Sequence, residues 1–557
     1  MLKRFLCAAI LVVSLAAQQP EAGGPIQISG KVVDIVTGEP LSGASIGLGP
    51  AGTWRAAVTI MSADDGSFVF PNVAPGRYSL IAGHRGYLTE LFDQHDGYSS
   101  AIVAGPGLDT SDLVFRLRPE SSISGTISDE AGEPIRHAQI TLYRTSEFEG
   151  RQETRVFQHE STDEEGFYRF RHLRAGSYFI SVSAEPWYAQ RPLPKFVAAQ
   201  DEISATPRVY ARRVGVGHYA EEQGTSPLDL AYPITFYPGV TEPASATPVQ
   251  LKSGERFVAD IRLQPVPALH LRLAEDKGEN SKSFYNVQLR TRLFGAPVQI
   301  HASTRSLAHG EMEIVGIAPG HYEAAFSQMD QGKPAGSSLV EIDAVSSGPL
   351  HIEQRTSSVS ISAVIKVDGD TAPQVQGNLQ LINTRIQESI SEHFSGADPI
   401  EFKQQVRPGT YEVMIGTSTG EFIKSLAATG AVVSGRTIQI KGADPVKLVV
   451  TIAHGQGQVT GVALRDGKPL AGVMVVLAPA DPAHNNVLFR RDQSDSDGSF
   501  TLHAVVPGKY TLLAIEKGWD LEWWSPATLK RYLPGGVAVN VEQNGKYDIK
   551  VKVQQAN

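Results

Sequence analysis

Short runs in which apolar and polar residues alternate recur along the chain, each bounded by glycine, proline or acidic turn residues. One set opens with Ile28-Ser29-Gly30-Lys31-Val32-Val33, turns at Thr37-Gly38-Glu39-Pro40-Leu41, and continues as Ala44-Ser45-Ile46-Gly47-Leu48. The same order returns as Ile123-Ser124-Gly125-Thr126-Ile127, Ala131-Gly132-Glu133-Pro134-Ile135 and Ala138-Gln139-Ile140-Thr141-Leu142. It returns again as Val459-Thr460-Gly461-Val462-Ala463, Asp466-Gly467-Lys468-Pro469-Leu470 and Val473-Met474-Val475-Val476-Leu477. A period of two predicts strands with one inward and one outward face, and the Gly-x-Pro segments predict the turns between them. An acidic turn follows in each set: Asp65-Gly66-Ser67-Phe68, Glu165-Gly166-Phe167-Tyr168 and Asp497-Gly498-Ser499-Phe500. Asp-Gly flanked by β-formers predicts a hairpin here.

Ten residues after that glycine comes a second one, two residues before a tyrosine. The phrase occurs five times: Pro75-Gly76-Arg77-Tyr78, Ala175-Gly176-Ser177-Tyr178, Pro319-Gly320-His321-Tyr322, Pro408-Gly409-Thr410-Tyr411 and Pro507-Gly508-Lys509-Tyr510. Its glycines stand 100, 144, 89 and 99 residues apart, which is the length of a β-sandwich domain, not of a solenoid repeat. The expected fold class is therefore all-β: a tandem array of about five immunoglobulin/transthyretin-like sandwiches. The expected boundaries are 26–118, 119–265, 266–355 (divergent), 356–455 (most divergent) and 456–557. Linkers of a few residues predict a semi-rigid rod. The second sandwich is lengthened by an insertion at about 192–247, rich in Tyr, Arg and Pro, and long loops on a rigid sandwich are where function usually sits. A tyrosine at a fixed place after a turn reads as structural, its ring in the core and its hydroxyl on nearby backbone.

Composition changes this picture at the N-terminus. Lys3 and Arg4 precede the apolar run Phe5 to Leu15 and then small residues, the layout of a secretory signal peptide spanning 1–17. The only cysteine, Cys7, lies inside it, so a mature chain would have no thiol chemistry. Losing Lys3 and Arg4 takes the formal charge from −9 to −11. That balance disfavours nucleic acid and anionic membrane as partners. No second apolar run is long enough for a transmembrane helix. The expected location is exported: periplasm, outer surface or extracellular.

Gly30, Pro40-Leu41 and Ala44-Ser45-Ile46, followed by Asp65-Gly66-Ser67-Phe68 and Pro75-Gly76-Arg77-Tyr78, resemble the carboxypeptidase regulatory-like domain. That resemblance implies a seven-stranded, transthyretin-like or prealbumin-like sandwich. It is good for the first, second and fifth repeats, partial for the third and weak for the fourth. The family is similar to the Cna-B-type stalk domains of surface proteins, and the whole chain resembles secreted multi-repeat bacterial proteins. Such domains accompany peptidases and other surface proteins without doing their chemistry, so the resemblance implies no catalysis.

A zinc carboxypeptidase would use His-x-x-Glu and a distant third ligand. One match exists, His218-Tyr219-Ala220-Glu221, without the α/β surroundings of a catalytic domain. His-Glu-x-x-His and phosphate-loop motifs are absent. Asp163-Glu164-Glu165 and Asp495-Ser496-Asp497 lack the ligand spacing of a calcium loop and read as turn chemistry. The Cna-B resemblance raises a Lys–Asn isopeptide bond, for which Lys31 has the place, but the closing strand Leu113 to Leu117 has no Asn. No catalytic residue, metal or cofactor is expected.

The tryptophans invite a different reading. Trp519, Trp523 and Trp524 cluster after the post-tyrosine strand of the last repeat, and Trp187-Tyr188 holds the corresponding place in the second. Adjacent Trp523 and Trp524 on a strand would face opposite ways, exposing one of them. Flat aromatic rings beside Asp520 and Glu522 suit stacking on sugars; the competing role is sealing a sandwich end or a joint. The leading expectation is thus a non-catalytic binding protein with polysaccharide or glycan as ligand. The alternative is a structural or protein-interaction rod serving a surface assembly through a protein partner.

Overall fold

The computed structural model describes residues 26–556 except 54, 96, 149–150, 191–195, 198–217, 220–225, 275–283, 301, 307–311, 331–332, 352–358, 370–374, 386–388, 397–399, 418 and 443. The signal-peptide reading therefore lies outside the described residues. The chain divides into two compact units. The smaller holds residues up to His84, Thr89–Gln94 and Ser100–Leu117; the larger holds Arg85–Leu88, His95–Ser99 and Arg118 onward.

The smaller unit sets the pattern with β1 (Ile26–Asp34), β2 (Ser45–Pro50), β3 (Val58–Met61), β4 (Ser67–Val73), β5 (Gly76–Gly83), β6 (Glu90–Leu91), β7 (Ile102–Ala104) and β8 (Leu113–Leu117). One sheet runs β4-β1-β8, and the other runs β3-β2-β5-β6 with β7 also on β5. β8 closes the first sheet parallel to β1. Ile28, Val32, Ile46, Phe68, Phe70, Leu80 and Phe115 are buried, the apolar halves of the alternating runs meeting face to face.

Gly30 has a specific reason to be glycine. A Cβ at Gly30 would lie 2.1 Å from the Leu113 carbonyl oxygen on β8. The equivalent Gly125 and Gly461 would meet Ala259 and Ile549 carbonyl oxygens at 2.1 and 1.8 Å. Three repeats thus keep glycine where the parallel closing strand comes too near for a side chain.

The Asp-Gly turns are turns, but they do not close hairpins. β3 pairs with β2 and β4 pairs with β1, so Asp65-Gly66 carries the chain from one sheet to the other. In the second sandwich, Arg151–Ser161 pairs with Gln139–Phe148, while Phe167–Leu173 pairs with Ser121–Ser128 across the Glu165-Gly166 corner. Gly66, Gly166 and Gly498 sit at φ +77°, +72° and +76°, which glycine adopts freely. The local motif specifies a reversal; the burial of both neighbours decides that the reversal is between sheets.

Divergence in sequence did not cost the later sandwiches their sheets. The third has two four-stranded sheets, and the fourth has a four-stranded and a five-stranded one. The fourth is cored by Val359, Ile361, Ala363, Ile365, Leu448, Val450 and their neighbours. In the fifth, Lys546–Gln555 pairs with both Gly457–Arg465 and Gly508–Glu516, joining its sheets along one side. The fifth also carries a short α-helix, Pro526–Tyr532, which the strand pattern did not foretell.

All five repeat tyrosines share one kind of bond. Each hydroxyl donates to the carbonyl four residues upstream: Tyr78 to Ala74 (2.9 Å), Tyr178 to Arg174 (2.9 Å), Tyr322 to Ala318 (2.7 Å), Tyr411 to Arg407 (2.9 Å) and Tyr510 to Val506 (2.7 Å). At Gly76, Gly320 and Gly508 a Cβ would touch that same tyrosine at 3.4 Å, while at Gly176 and Gly409 it would touch it at 3.7 Å. The glycine lies directly against the tyrosine that staples its own turn.

Candidate functional site

Trp187 stands on a tight turn in the second sandwich, where the Ala189 N–H reaches the Pro186 carbonyl at 2.9 Å. The next residue is tied down as well, the Gln190 N–H donating to Leu228 at 2.8 Å. The indole is 87% exposed. Tyr188 meets it edge to face, with centroids 5.7 Å apart at 86°.

Tyr188 is held from below. Its hydroxyl donates to Oε1 of Glu130, and the Tyr232 hydroxyl donates to Oε2 at 3.0 Å. Arg262 fastens the same turn, its Nε donating to the Asp129 carbonyl at 3.1 Å and its Nη2 to the Glu130 carbonyl. Burial pushes the Glu130 carboxyl up. The Tyr188 hydroxyl, the backbone, Tyr232 and Arg262 together outweigh it and hold Glu130 below the usual carboxylate range. Burial, then the neighbouring hydrogen bonds and charge, push both phenols up. The arrangement is a carboxylate with one neutral phenol bonded to each oxygen. It can fix a ring in place; it offers no free base. The sequence picked out Trp187 and Tyr188 but missed Glu130, Tyr232 and Arg262. Glu130 stood next to the turn Ala131-Gly132-Glu133-Pro134, and nothing local marked it as a partner for residues 58 and 102 positions away.

The fifth sandwich treats its tryptophans oppositely. They do not lie on a strand. Trp519 is in a single 3-10 turn, Gly518–Asp520, and Trp523 and Trp524 lead into the helix Pro526–Tyr532. The premise that neighbouring rings face opposite sides of a strand therefore does not apply. Trp523 is 6% exposed and packs with Met474, Val476, Leu513, Ile515, Leu529 and Tyr532 on the outer face of the sheet. It meets Phe489 at 5.5 Å and Trp524 at 5.7 Å, both edge to face. The Arg491 guanidinium lies 4.7 Å from its centroid, a cation–π contact. Trp519 is half-buried, and its Nε1 donates to the Gly472 carbonyl at 3.3 Å. Within the larger unit the His95 ring stacks on Trp519, 4.9 Å away and 7° from parallel. These rings cover a sheet face that would otherwise be wet.

His218 lies in a two-residue strand whose side chains are not described, and Glu221 is outside the described residues. Lys31 is on the surface, its Nζ 3.2 Å from Asp65. The Ser67 side chain and backbone, followed by Lys31, hold that Asp65 carboxyl at about 2. Asp163 accepts the Glu165 and Phe167 N–H groups at 3.1 and 2.8 Å, binding its own turn. Among the described residues no cluster of three His, Cys, Asp or Glu is placed to hold a metal ion. No described helix is long and apolar enough to cross a membrane.

The class these observations define is a tandem β-sandwich protein. Residues 27–103 and 122–202 match the carboxypeptidase regulatory-like domain family, a regulatory-like module and not a catalytic one. The fifth repeat, which resembles the family in sequence, falls outside both matched segments. No curated protein matches the chain. Among solved structures the chain is similar to the Bacillus anthracis TIE protein at 10% identity, over 95% of this chain and 73% of that one, with a TM-score of 0.16. It is similar to the major pilin subunit of Bacillus cereus at 11% identity, over 78% and 99%, with a TM-score of 0.14. It is also similar to the shaft pilin from Lactobacillus rhamnosus GG at 8% identity, over 43% and 97%, with a TM-score of 0.19. At these identities and scores the likeness says nothing about what this chain does.

Proposed function

We propose that this is an exported, non-catalytic structural protein that works through protein contacts. The observation that carries the reading is the joint between its last two sandwiches. Phe422 and Ala453 of the fourth and Val506 of the fifth are buried in one apolar cluster, with Leu488 packed on it. The Arg436 N–H crosses to the His484 carbonyl at 2.8 Å, and its buried guanidinium holds the Ile423 carbonyl. Side chains spent on holding neighbours in place favour a scaffold over independent binding modules on a thread. The matched family is regulatory-like, which favours the non-catalytic part of this reading.

A second reading, carbohydrate binding, keeps one observation in its favour: the braced and exposed indole of Trp187. Sugar rings stack on such a surface, and so do protein partners, for which tryptophan is a preferred anchor. One experiment separates the two. The mature protein and its Trp187→Ala variant are applied to an array of bacterial and plant polysaccharides, with peptide-resolved hydrogen exchange of the same samples. The structural reading expects no glycan retained, and joint protection of the segments around Phe422, Ala453 and Val506. A polysaccharide bound by the native protein and lost in Trp187→Ala would replace it with the carbohydrate reading.

A further inference from the structure

We propose that the end of the long insertion, Asp229 to Val240, is a strap that locks the second sandwich onto the third, so that the two open as one unit. The inference is independent of what the protein binds. The insertion was expected to carry function as a long loop; its described end is instead fastened at both sides.

On the second sandwich, Thr235–Phe236 adds to the edge of Gly176–Ser183, Phe236 opposite Ser181 and Thr235 opposite Val182. Tyr232 is tied to Glu130 by its hydroxyl. On the other side three different attachments meet. Leu230–Ala231 pairs antiparallel with Val266–Pro267 of the linker, and the Ala268 N–H donates to the Asp229 carbonyl at 2.9 Å. Small side chains let these segments close up: Ala231 is buried with Ala268 and Ala318. Phe236, fully buried, meets Phe294 of the third sandwich edge to face at 5.7 Å, in a cluster with Tyr143 and Leu293.

The third attachment is ionic. His270, at the start of the third sandwich, gives its Nε2–H to Asp229 Oδ2 at 2.6 Å, with its side chain only 6% exposed. Its Nδ1 faces Arg305 Nη2 at 3.5 Å and Glu313 Oε1 at 3.9 Å. Glu313 is fully buried, bonded to Arg305 and 3.7 Å from Arg272. Two carboxylates and two guanidiniums thus meet around one imidazole. Asp229 is the member contributed by the strap. Without it the buried His270 Nε2–H loses its acceptor, and a buried donor left unpaired is destabilising.

The test is native-state hydrogen exchange on the full mature chain, comparing Ser121–Ser128 in the second sandwich with Leu269–Ala274 in the third. The fourth-sandwich strand Val359–Val367 serves as internal reference. In the native protein the first two segments are expected to open with the same protection factor. In Asp229→Ala the third-sandwich segment is expected to exchange at least tenfold faster, with the reference unchanged. Asp229→Asn keeps an acceptor oxygen at His270 and is expected to fall between the two. Phe236→Ala is expected to release the third sandwich in the same way through the aromatic side of the strap. Independent opening of the two segments in the native protein overturns the proposal. So does unchanged protection of the third sandwich in both Asp229→Ala and Phe236→Ala.

Discussion

Trp187 in the second sandwich and Trp523 in the fifth come after equivalent strands of their repeats, Gly176–Ser183 and Gly508–Glu516, and they end in opposite environments. Trp523 is covered by a helix and by Phe489, and Trp187 is left 87% exposed on a braced turn. The difference comes from the residues downstream of each tryptophan. After Trp523 and Trp524 the residues Pro526–Tyr532 form a helix, with Leu529 and Tyr532 turned onto the sheet. After Trp187 and Tyr188 the chain departs into the insertion, and its return brings Tyr232 beneath Tyr188 by way of Glu130, without covering the indole. Equivalent aromatic signals thus serve packing in one repeat and display in another. Which one occurs depends on residues that share no motif.

The largest test of this contrast is Trp523→Ala. Truncating a buried ring costs about 3–5 kcal/mol, so the fifth sandwich should lose that much by calorimetry or urea unfolding. A loss under about 1 kcal/mol would place Trp523 on the surface in solution and erase the contrast. Next is Glu130→Ala, which strips two phenols of their acceptor. It should cost about 1–2 kcal/mol and loosen Trp187, seen as faster acrylamide quenching or lower indole anisotropy. Unchanged anisotropy would mean that the brace does not reach the indole.

Tyr510→Phe sharpens the structural side. It leaves the Val506 carbonyl without its donor and should cost about 1 kcal/mol at neutral pH. Burial pushes the hydroxyls of Tyr322 and Tyr510 up to about 12, above the unfolded value of about 10. Because the folded values are raised, their contribution is complete below pH 10 and is lost as pH climbs toward 12. Urea midpoints should fall over that window, and less steeply in Tyr510→Phe; identical slopes would assign the alkaline loss to other groups. The smallest expected effect is Trp187→Ala, within about 0.5 kcal/mol, measured by the same unfolding curves. A loss of several kcal/mol would show Trp187 to be a packing residue like Trp523.

Much of the scaffold was legible because it is encoded by near neighbours. Period-two runs mark strands, glycine at Gly66 or Gly166 marks a reversal, and a tyrosine two residues after a glycine marks a staple between residues four apart. Those are short-range physics, readable without knowing where the rest of the chain goes. The hairpin expectation failed at the first step beyond that range. The Asp-Gly turn specifies that the chain reverses, while the choice of partner strand depends on which faces bury against each other. The brace around Trp187 was hidden for the same reason. Glu130, Tyr188, Tyr232 and Arg262 come from four separated segments whose convergence no local pattern announces.

By itself the sequence determined strands, turns, a five-fold repeat and, in three repeats, a glycine where the closing strand comes too near for a Cβ. The tertiary structure alone decided that three tryptophans help cover a sheet face and one is displayed. It also decided that Asp229 and Phe236 of an insertion end up fastened to the next sandwich. The reason is physical: backbone preference acts over a few residues, whereas exposure and charge pairing are set by whatever the folded chain brings alongside.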